Sequence, residues 1–418
     1  MKPLEGLKVV ELGMFISAPG VARILADWGA DVVKIEAPKG DSGRVASGQV
    51  GLPMEPDCDP IFSIINSGKK LISLNLKAPE GMEIMHKLLA DADIFVSNTR
   101  YGGLTRLGLD YEALHEKYPK MICCYMNGYG FEGEEKDKPG FDMTCFWSRS
   151  GILNAMRHPG DTPRFPPPGI GDLTTAHIVT AGILAALHKR SVTGEGSKVS
   201  TSLLASGIWS GYAHITGGQD RPPQDPKGPF RAPIPFKEWR NPFYHIYSCK
   251  DGRLFFLLGG AYQKLHRSFH AMGMDDLIDD PNYKDHLTMQ ENSAPLYDRM
   301  IELFKTKTAD EWAAICQELD APYEIISSNC DVSKDPQAWA NGCFTRMECP
   351  NGSTYIVPNT PVEFSDVERT QTRHAGGVGS DTRQVLASLG YTQEQIEDML
   401  QREVVADEKK QPPAMQKV

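Results

Sequence analysis

Five short apolar stretches, each separated from the next by a helical or loop pattern, dictate how the first third of this chain can fold. Residues 7–12 (LKVVEL) read as a buried strand. The small-residue turn Ser17-Ala18-Pro19-Gly20 follows, and then an amphipathic helix to about Trp28. Residues 31–36 (DVVKIE) form a second strand and residues 71–76 alternate like a third. Pro79 opens a helix where proline is tolerated, since the first helical N–H has no partner anyway, and the helix runs to about residue 90. Residues 93–97 and 121–125 complete the set. Strands of this length alternating with helices predict a Rossmann-like parallel sheet with helices on both faces, an α/β fold.

Farther along, residues 173–189 form a strong helical pattern ended by Thr193-Gly194-Glu195-Gly196. Residues 216–240 are rich in Pro, Gly, Lys and Arg, as expected of a linker or ordered loop. Strand patterns at 244–248 and 254–258 flank the turn Lys250-Asp251-Gly252, and helices follow. That order predicts a second, smaller α+β domain. The expected organisation is a large domain over 1–205, a linker over 206–240 and the small domain over 241–330. A return linker and C-terminal helices of the large domain occupy 331–405, and a charged, proline-containing, disordered tail takes 406–418.

The charge balance restricts the partners. Of the 418 residues, 44 are Lys or Arg and 54 are Asp or Glu, a formal charge of −10. A chain this acidic is not expected to coat nucleic acid or an anionic membrane, so any anionic ligand must be held by a local cluster of cations and N–H groups. The first six residues do not resemble a signal peptide, and no apolar run is read as a membrane span. Nine scattered cysteines show neither a C-x-x-C nor metal-ligand spacing with histidines, so reduced thiols, a cytoplasmic location and no metal are expected. Adjacent Cys123 and Cys124 read as two buried thiols.

A strand, a turn with glycines, a helix and a strand ending in Glu36 are also the opening of a dinucleotide site. Gly13 and Gly20 flank this turn, but no G-x-G-x-x-G is present; Ile16, Ser17 and Ala18 stand there instead. The turn could still meet an adenine nucleotide through N–H groups at a helix start. The strongest candidate for chemistry lies elsewhere, in Pro168-Gly169-Ile170-Gly171-Asp172-Leu173. Two glycines permit a sharp turn and open space beside Asp172, and the following helix start supplies N–H donors to a developing oxyanion. Two readings of Asp172 stand at this level. Aspartate is a preferred N-cap, and a carboxylate can also attack a thioester as a nucleophile.

Several segments together resemble class III CoA-transferases, the family of formyl-CoA, carnitine, phenyllactate and 2-hydroxyisocaproate CoA-transferases. They are LEGLKVVELG near the start, GADVVKIEAPKGD at 29–41, NSGKKLISLNLKAPEG at 66–81, NGYGFEG at 127–133, KPGFD at 138–142, GIGD at 169–172, TGEGSKVSTSL at 193–203 and SLGYTQEQI at 388–396. The match runs from about Leu4 to Val405, and GFD and NSGKK look nearest to the phenyllactate and 2-hydroxyisocaproate branch. The resemblance implies CoA transfer from an acyl-CoA to a carboxylic acid, with Asp172 as the covalent nucleophile. It implies no metal and no permanently bound cofactor; coenzyme A is a substrate. It places CoA against Ser17 and Ala18, Leu74 and Lys77, and Asn98, Thr99 and Arg100, with Arg106 on a phosphate. Without the resemblance, each of these cations reads equally as a solvated surface charge.

This chain also departs from the family pattern. Ser17 stands where formyl-CoA transferase has glutamine, which argues against formyl-CoA and oxalate as substrates. An arginine of that enzyme falls on Ala37, leaving its phosphate contact to Lys39 or Arg44. The glycine-rich active-site loop has no clear counterpart at Gly217-Gly218 or Gly259-Gly260. The related α-methylacyl-CoA racemases place a histidine before an aspartate, and here the pair is Phe141-Asp142, so one proton-transferring base is lacking. Asp142 remains a possible supporting residue beside Asp172, or a carboxylate capping nearby backbone. Trp147, Phe146, Trp209 and Tyr212 could line an acyl pocket or be core. A non-catalytic CoA-binding protein is the rival from another class. The resemblance further implies an interlocked homodimer, which would give the long linking segments a surface to pack on.

Overall fold

The computed structural model describes residues 1–49, 51, 59–157, 161–217, 241–258 and 265–408. Most of the linker read at 206–240, the tail from residue 409 onward, Gly218 and the pair Gly259-Gly260 lie outside the described residues. The chain divides into two compact units, one of Met1–Leu153, Phe165–Thr216 and Pro336–Val418, the other of Asn154–Arg164 and Gly217–Asp335.

In the first unit six strands form one sheet, the first five of them largely apolar as suits a pleated, doubly covered position. They are β1 (Lys8–Leu12), β2 (Asp31–Glu36), β3 (Lys70–Leu74), β4 (Ile94–Ser97), β5 (Ile122–Asn127) and β6 (Lys198–Ser202). Their order across the sheet is β3-β2-β1-β4-β5-β6, every neighbouring pair parallel. Beyond β3 lies an antiparallel edge strand, Val405–Ala406, with Val405 opposite Leu74. Because side chains alternate along a strand, Val10, Ile72, Phe95, Cys123 and Tyr125 face one core. Val9, Val32, Ile94, Ile122 and Cys124 face the other. Cys123 and Cys124 therefore point to opposite faces as buried free thiols.

Helices Pro79–Ala90, Thr382–Ser388 and Gln393–Gln401 cover the first face through Ile84, Met85, Leu386 and Met399. Helices Ser17–Asp27 and Ile170–Thr193 cover the second through Val21, Leu25, Val179 and Ile183. Each such fully buried side chain contributes about 1.5–3 kcal/mol of hydrophobic stabilisation. The helix Ile170–Thr193 has 24 residues and is long and apolar enough to cross a membrane by length and composition, which the sequence did not make evident. In this fold Ala176, Val179, Ile183 and Ala186 of that helix are buried among core side chains.

The expected parallel sheet is present, with corrections. Ser17 to Gly20 are the first turn of their helix rather than a turn before it. The segment expected to be a disordered tail begins inside the sheet: Ala406 pairs with Ser73, and the Glu408 carboxylate accepts from the Gly377 N–H at 3.0 Å. Within the stretch read as a return linker, Phe344–Glu348 and Thr354–Pro358 form an antiparallel hairpin. Seven described cysteines are free, but Cys349 is disulfide-bonded, against the expectation of reduced thiols throughout.

The second unit is a three-stranded antiparallel sheet of β7 (Tyr244–Ser248), β8 (Leu254–Leu258) and β9 (Tyr323–Ile325). Tyr247 stacks on Phe304, and the buried Trp312 indole donates to the Phe304 carbonyl at 3.0 Å. A Thr308–Glu311 capping box starts the helix Ala309–Glu318 that carries Trp312.

One feature of the first unit fixes where a ligand can go. The chain leaves β1 toward β2 and β3, then returns to place β4 on β1's other side. The loops after β1 and β4 thus diverge, and the crevice between them is the binding position of open α/β sheets.

Candidate active site

Residues 13–16 leave β1 at this crevice, and residues 98–100 leave β4 beside them. Asn98 joins the two loops. Its carbonyl accepts from the Met14 N–H at 3.0 Å, and its amide donates to the Met14 carbonyl at 2.8 Å and to Ser17 Oγ at 3.1 Å. Ser17, 7% exposed, opens the helix Ser17–Asp27. That helix lies close against Ile170–Thr193: a Cβ on Gly20 would sit 3.2 Å from side-chain carbons of both Ala176 and Leu173. The close approach places the starts of the two helices side by side.

The helix Ile170–Thr193 starts from Gly169, whose φ of 84° is left-handed and open to glycine, and no side chain of its own caps it. Asp142 performs that duty from another segment. Its Oδ2 accepts from the Gly169 N–H at 2.9 Å. Asp142 is 5% exposed and stands before the π-helix Met143–Arg149. Phe146 of that π-helix packs flat on Gly171, where a Cβ would meet Phe146 Cγ at 2.6 Å.

Asp172 is therefore the third residue of its helix and not its N-cap, which overturns the capping reading of this residue. The side chain is half-buried, with part open to solvent and the carboxylate closely surrounded. Burial, together with the charge of Asp142, raises its pKa to about 7; a hydrogen bond with Ser17 pulls in the opposite direction. No cation among the described residues stabilises its ionised form. Burial raises Asp142 as well, against the pull of the backbone N–H groups of Gly169, Met143 and Gly171.

The remaining expected contacts fall into two groups. Ala18 and Leu74 are buried side chains in the two cores, so only their backbone could meet a ligand. Thr99 is partly tied up, its N–H donating to Ser97 Oγ at 3.1 Å and its hydroxyl reaching the Leu12 carbonyl at 3.4 Å. Lys77 after β3, Arg100 after β4, and Arg106 in the last turn of the helix Tyr101–Leu107 are exposed and form no ion pair among the described residues. These three cations follow the carboxyl ends of β3 and β4, on the same edge of the sheet as Ser17. Arg44 is not available as a substitute phosphate ligand. It grips Glu36 at 2.6 and 2.8 Å, bonds the Gly376 carbonyl at 3.1 Å and lies over the Phe62 ring. Lys39 is exposed. Phe146 and Trp147 are core, whereas Trp209 and Tyr212 are exposed. Among the described residues no group of three His, Cys, Asp or Glu side chains could hold a metal.

Comparison with known proteins identifies the family. The profile of CoA-transferase family III matches residues 4–382. The chain is 38% identical over 403 residues to the (R)-2-hydroxy-4-methylpentanoate CoA-transferase of Clostridioides difficile, covering 96% of this chain and 99% of that one. It is 35% identical over 397 residues to the cinnamoyl-CoA:phenyllactate CoA-transferase of Clostridium sporogenes, covering 94% and 95%. A crystal structure of a CAIB/BAIF family protein from Brucella suis superposes with a TM-score of 0.76 at 26% identity, covering 93% of this chain and 99% of that one. The chain belongs to CoA-transferase family III. It is an enzyme that transfers CoA between carboxylic acids, and its similarity to the 2-hydroxy acid branch, read from GFD and NSGKK, is borne out.

Proposed function

We propose that CoA passes through two covalent states of Asp172, and that the acids exchanged are (R)-2-hydroxy acids and their enoyl relatives. The carboxylate attacks the acyl-CoA thioester carbonyl, the C–S bond breaks, and an aspartyl–acyl anhydride and CoA thiolate result. The thiolate attacks the aspartyl carbonyl, releasing the donor acid as carboxylate and leaving an aspartyl–CoA thioester. The acceptor carboxylate attacks that thioester, and the returning thiolate takes the new acyl group, regenerating the Asp172 carboxylate. Protons balance without a metal or redox partner.

The observation that carries this reading is a half-buried carboxylate that caps nothing and, among the described residues, pairs with no cation. A carboxylate with raised proton affinity is also the better nucleophile. The two acids follow from the substrates named for the two relatives. A racemase reading is disfavoured because Phe141, exposed and edge-on to Phe15, has no proton to exchange. Enzyme incubated with acyl-CoA and no acceptor, then treated with hydroxylamine, should carry a hydroxamate at Asp172 and nowhere else. Modification at Asp142 with Asp172 untouched, or none with transfer retained, would defeat the mechanism.

The exposed Ile208, Trp209 and Tyr212 and the family resemblance also support a homodimer. A stable monomer in sedimentation at nanomolar concentration would contradict it.

A further inference from the structure

The NSGKK segment has no part in the chemistry above, yet Lys69 is one of the most constrained side chains in the protein. Its ammonium is fully buried and donates to Glu11 Oε2 at 2.7 Å, to the Pro19 carbonyl at 2.8 Å and to Asn66 Oδ1 at 2.9 Å. The other oxygen of Glu11 takes Lys34, at 2.8 Å. Lys34 also holds Asp41 at 3.0 Å and the Gly13 carbonyl at 2.8 Å. Asp41 Oδ1 in turn accepts from the Phe15 N–H at 3.1 Å. Two acids and two lysines, all out of contact with water, thus grip the loop after β1 at Gly13, Phe15 and Pro19.

A buried quartet of this kind is poor design for stability alone, because desolvating charges offsets most of their attraction. What it does secure is an unfavourable backbone. Phe15 has a φ of 59°, in the left-handed region disfavoured for a bulky residue, and such strain persists only where the surroundings over-determine it. The strained turn runs directly into the helix start that carries Ser17, and that helix lies against the one carrying Asp172, a Cβ on Gly20 standing 3.2 Å from Leu173. The Phe15 ring also meets Phe141, the neighbour of Asp142, at 5.5 Å edge-on. Burial above all, with Lys34 and Arg23 nearby, pushes Lys69 down to about 7, while Lys34, despite burial, is held up by Glu11, Asp41 and Glu36. Lys69 is thus the weaker leg of the quartet and the one attached to the helix start.

We propose that Lys69 is a positioning residue for the transfer reaction: through Glu11 and the Pro19 carbonyl it fixes the first turn of the helix Ser17–Asp27, and so the Ser17 hydroxyl against Asp172. The inference rests on Asp172 being the nucleophile. The test is the rate at which acyl-CoA plus hydroxylamine labels Asp172, measured against pH in the wild type, Lys69→Met and Lys69→Gln, the last retaining a hydrogen-bond donor. Lys69→Met should label at least tenfold more slowly, Lys69→Gln should fall between, and the acidic limb of the rate should move to higher pH in both. That direction follows because the Ser17 hydrogen bond holds the Asp172 pKa down. Simple loss of folded enzyme would lower the amplitude without moving the limb. Ser17→Ala should abolish the further effect of Lys69→Gln. Failure of the wild type to label overturns the nucleophile itself. A labelling wild type with a folded Lys69→Gln of wild-type rate and limb overturns the positioning role, and Lys69→Gln serves alone where Lys69→Met does not fold.

Discussion

Replacing Asp172 by asparagine should end transfer and at the same time make the protein more stable above pH 7. In the unfolded chain this carboxyl has the ordinary value of 3.8; in the folded protein it stands at about 7. Between those values the folded protein binds the extra proton, so stability falls as pH rises through the window and the full cost is present above pH 7. At about 1.4 kcal/mol per pH unit, an interval of about three units corresponds to roughly 4 kcal/mol. Solvent reaches part of the side chain, which reduces a realistic figure to about 2 kcal/mol. An acid in the first helical turn gains about 0.3–1 kcal/mol from the helix dipole, and asparagine forfeits that gain. The desolvation effect is the larger, so Asp172→Asn should be net stabilised by about 1–2 kcal/mol at pH 8.5 and by nothing at pH 3, below both values. For a unit of this size that is a few degrees in thermal midpoint. Paired melts of ligand-free wild type and variant at the two pH values measure it. A variant no more stable at pH 8.5, or a gain equal at both, would show that Asp172 sits comfortably as an anion and that the electrostatic account of its reactivity is wrong.

Asp142→Asn removes the second contributor to the raised Asp172 pKa, so the acidic limb of activity should move to lower pH and kcat should fall, with hydroxamate still forming at Asp172. Label appearing at a new position would refute this. Arg106→Ala should weaken acyl-CoA binding by about tenfold, the loss of about 1.4 kcal/mol in a charge-assisted contact. Single-turnover labelling at saturating acyl-CoA should be unchanged, and an unaltered KM would remove Arg106 from the binding site. Gly171→Ala drives a methyl into Phe146 and should destabilise by about 1–3 kcal/mol. Adding Phe146→Leu should recover part of that loss in urea unfolding, and no recovery would place the cost elsewhere.

How much of this could be read in the sequence depended on what each element buries. Strands β1 to β5 were legible because a parallel strand covered on both faces needs an unbroken apolar run. The strand β6 was not, because Lys198–Ser202 lies at the sheet edge and its side chains alternate between partly covered and exposed. The edge strand at Val405–Ala406 is two residues long, too short for any periodicity. Asp172 was found as a candidate, but Gly-x-Gly-Asp before a helix permits either a cap or a nucleophile. Only the position of Gly169 as N-cap, with Asp142 reaching in to serve it, separates the two. The charge quartet did leave a sign. Glu11 and Lys34 interrupt strands that otherwise read as buried, and a buried charge must have a partner. What could not be read was that Lys69, more than fifty residues from Glu11, completes it.

These pieces meet in the charge carried by Asp172 itself. The free carboxylate is an anion held in dense protein, beside a second buried carboxylate and with no cation among the described residues to offset it. In the anhydride and in the CoA thioester the same carbon is neutral, because the negative charge has left on the thiolate or the departing acid. The repulsion from Asp142 and the burial that raise the carboxyl's proton affinity therefore disfavour the resting carboxylate relative to both covalent states. An aspartate paired with arginine would be stabilised in the resting anion and would resist acylation by the same amount. Lys77, Arg100 and Arg106, which form no ion pair among the described residues, stand after β3 and β4; on the proposed reading they would neutralise phosphates of CoA without pairing with Asp172. An overall charge of −10 leaves no general attraction for an anionic substrate, so its binding requires a local set of cations. The fold thus separates two electrostatic demands that would cancel if they were met at one place. On the proposed reading, anion binding falls to the ends of β3 and β4, and anion destabilisation to the start of the helix Ile170–Thr193.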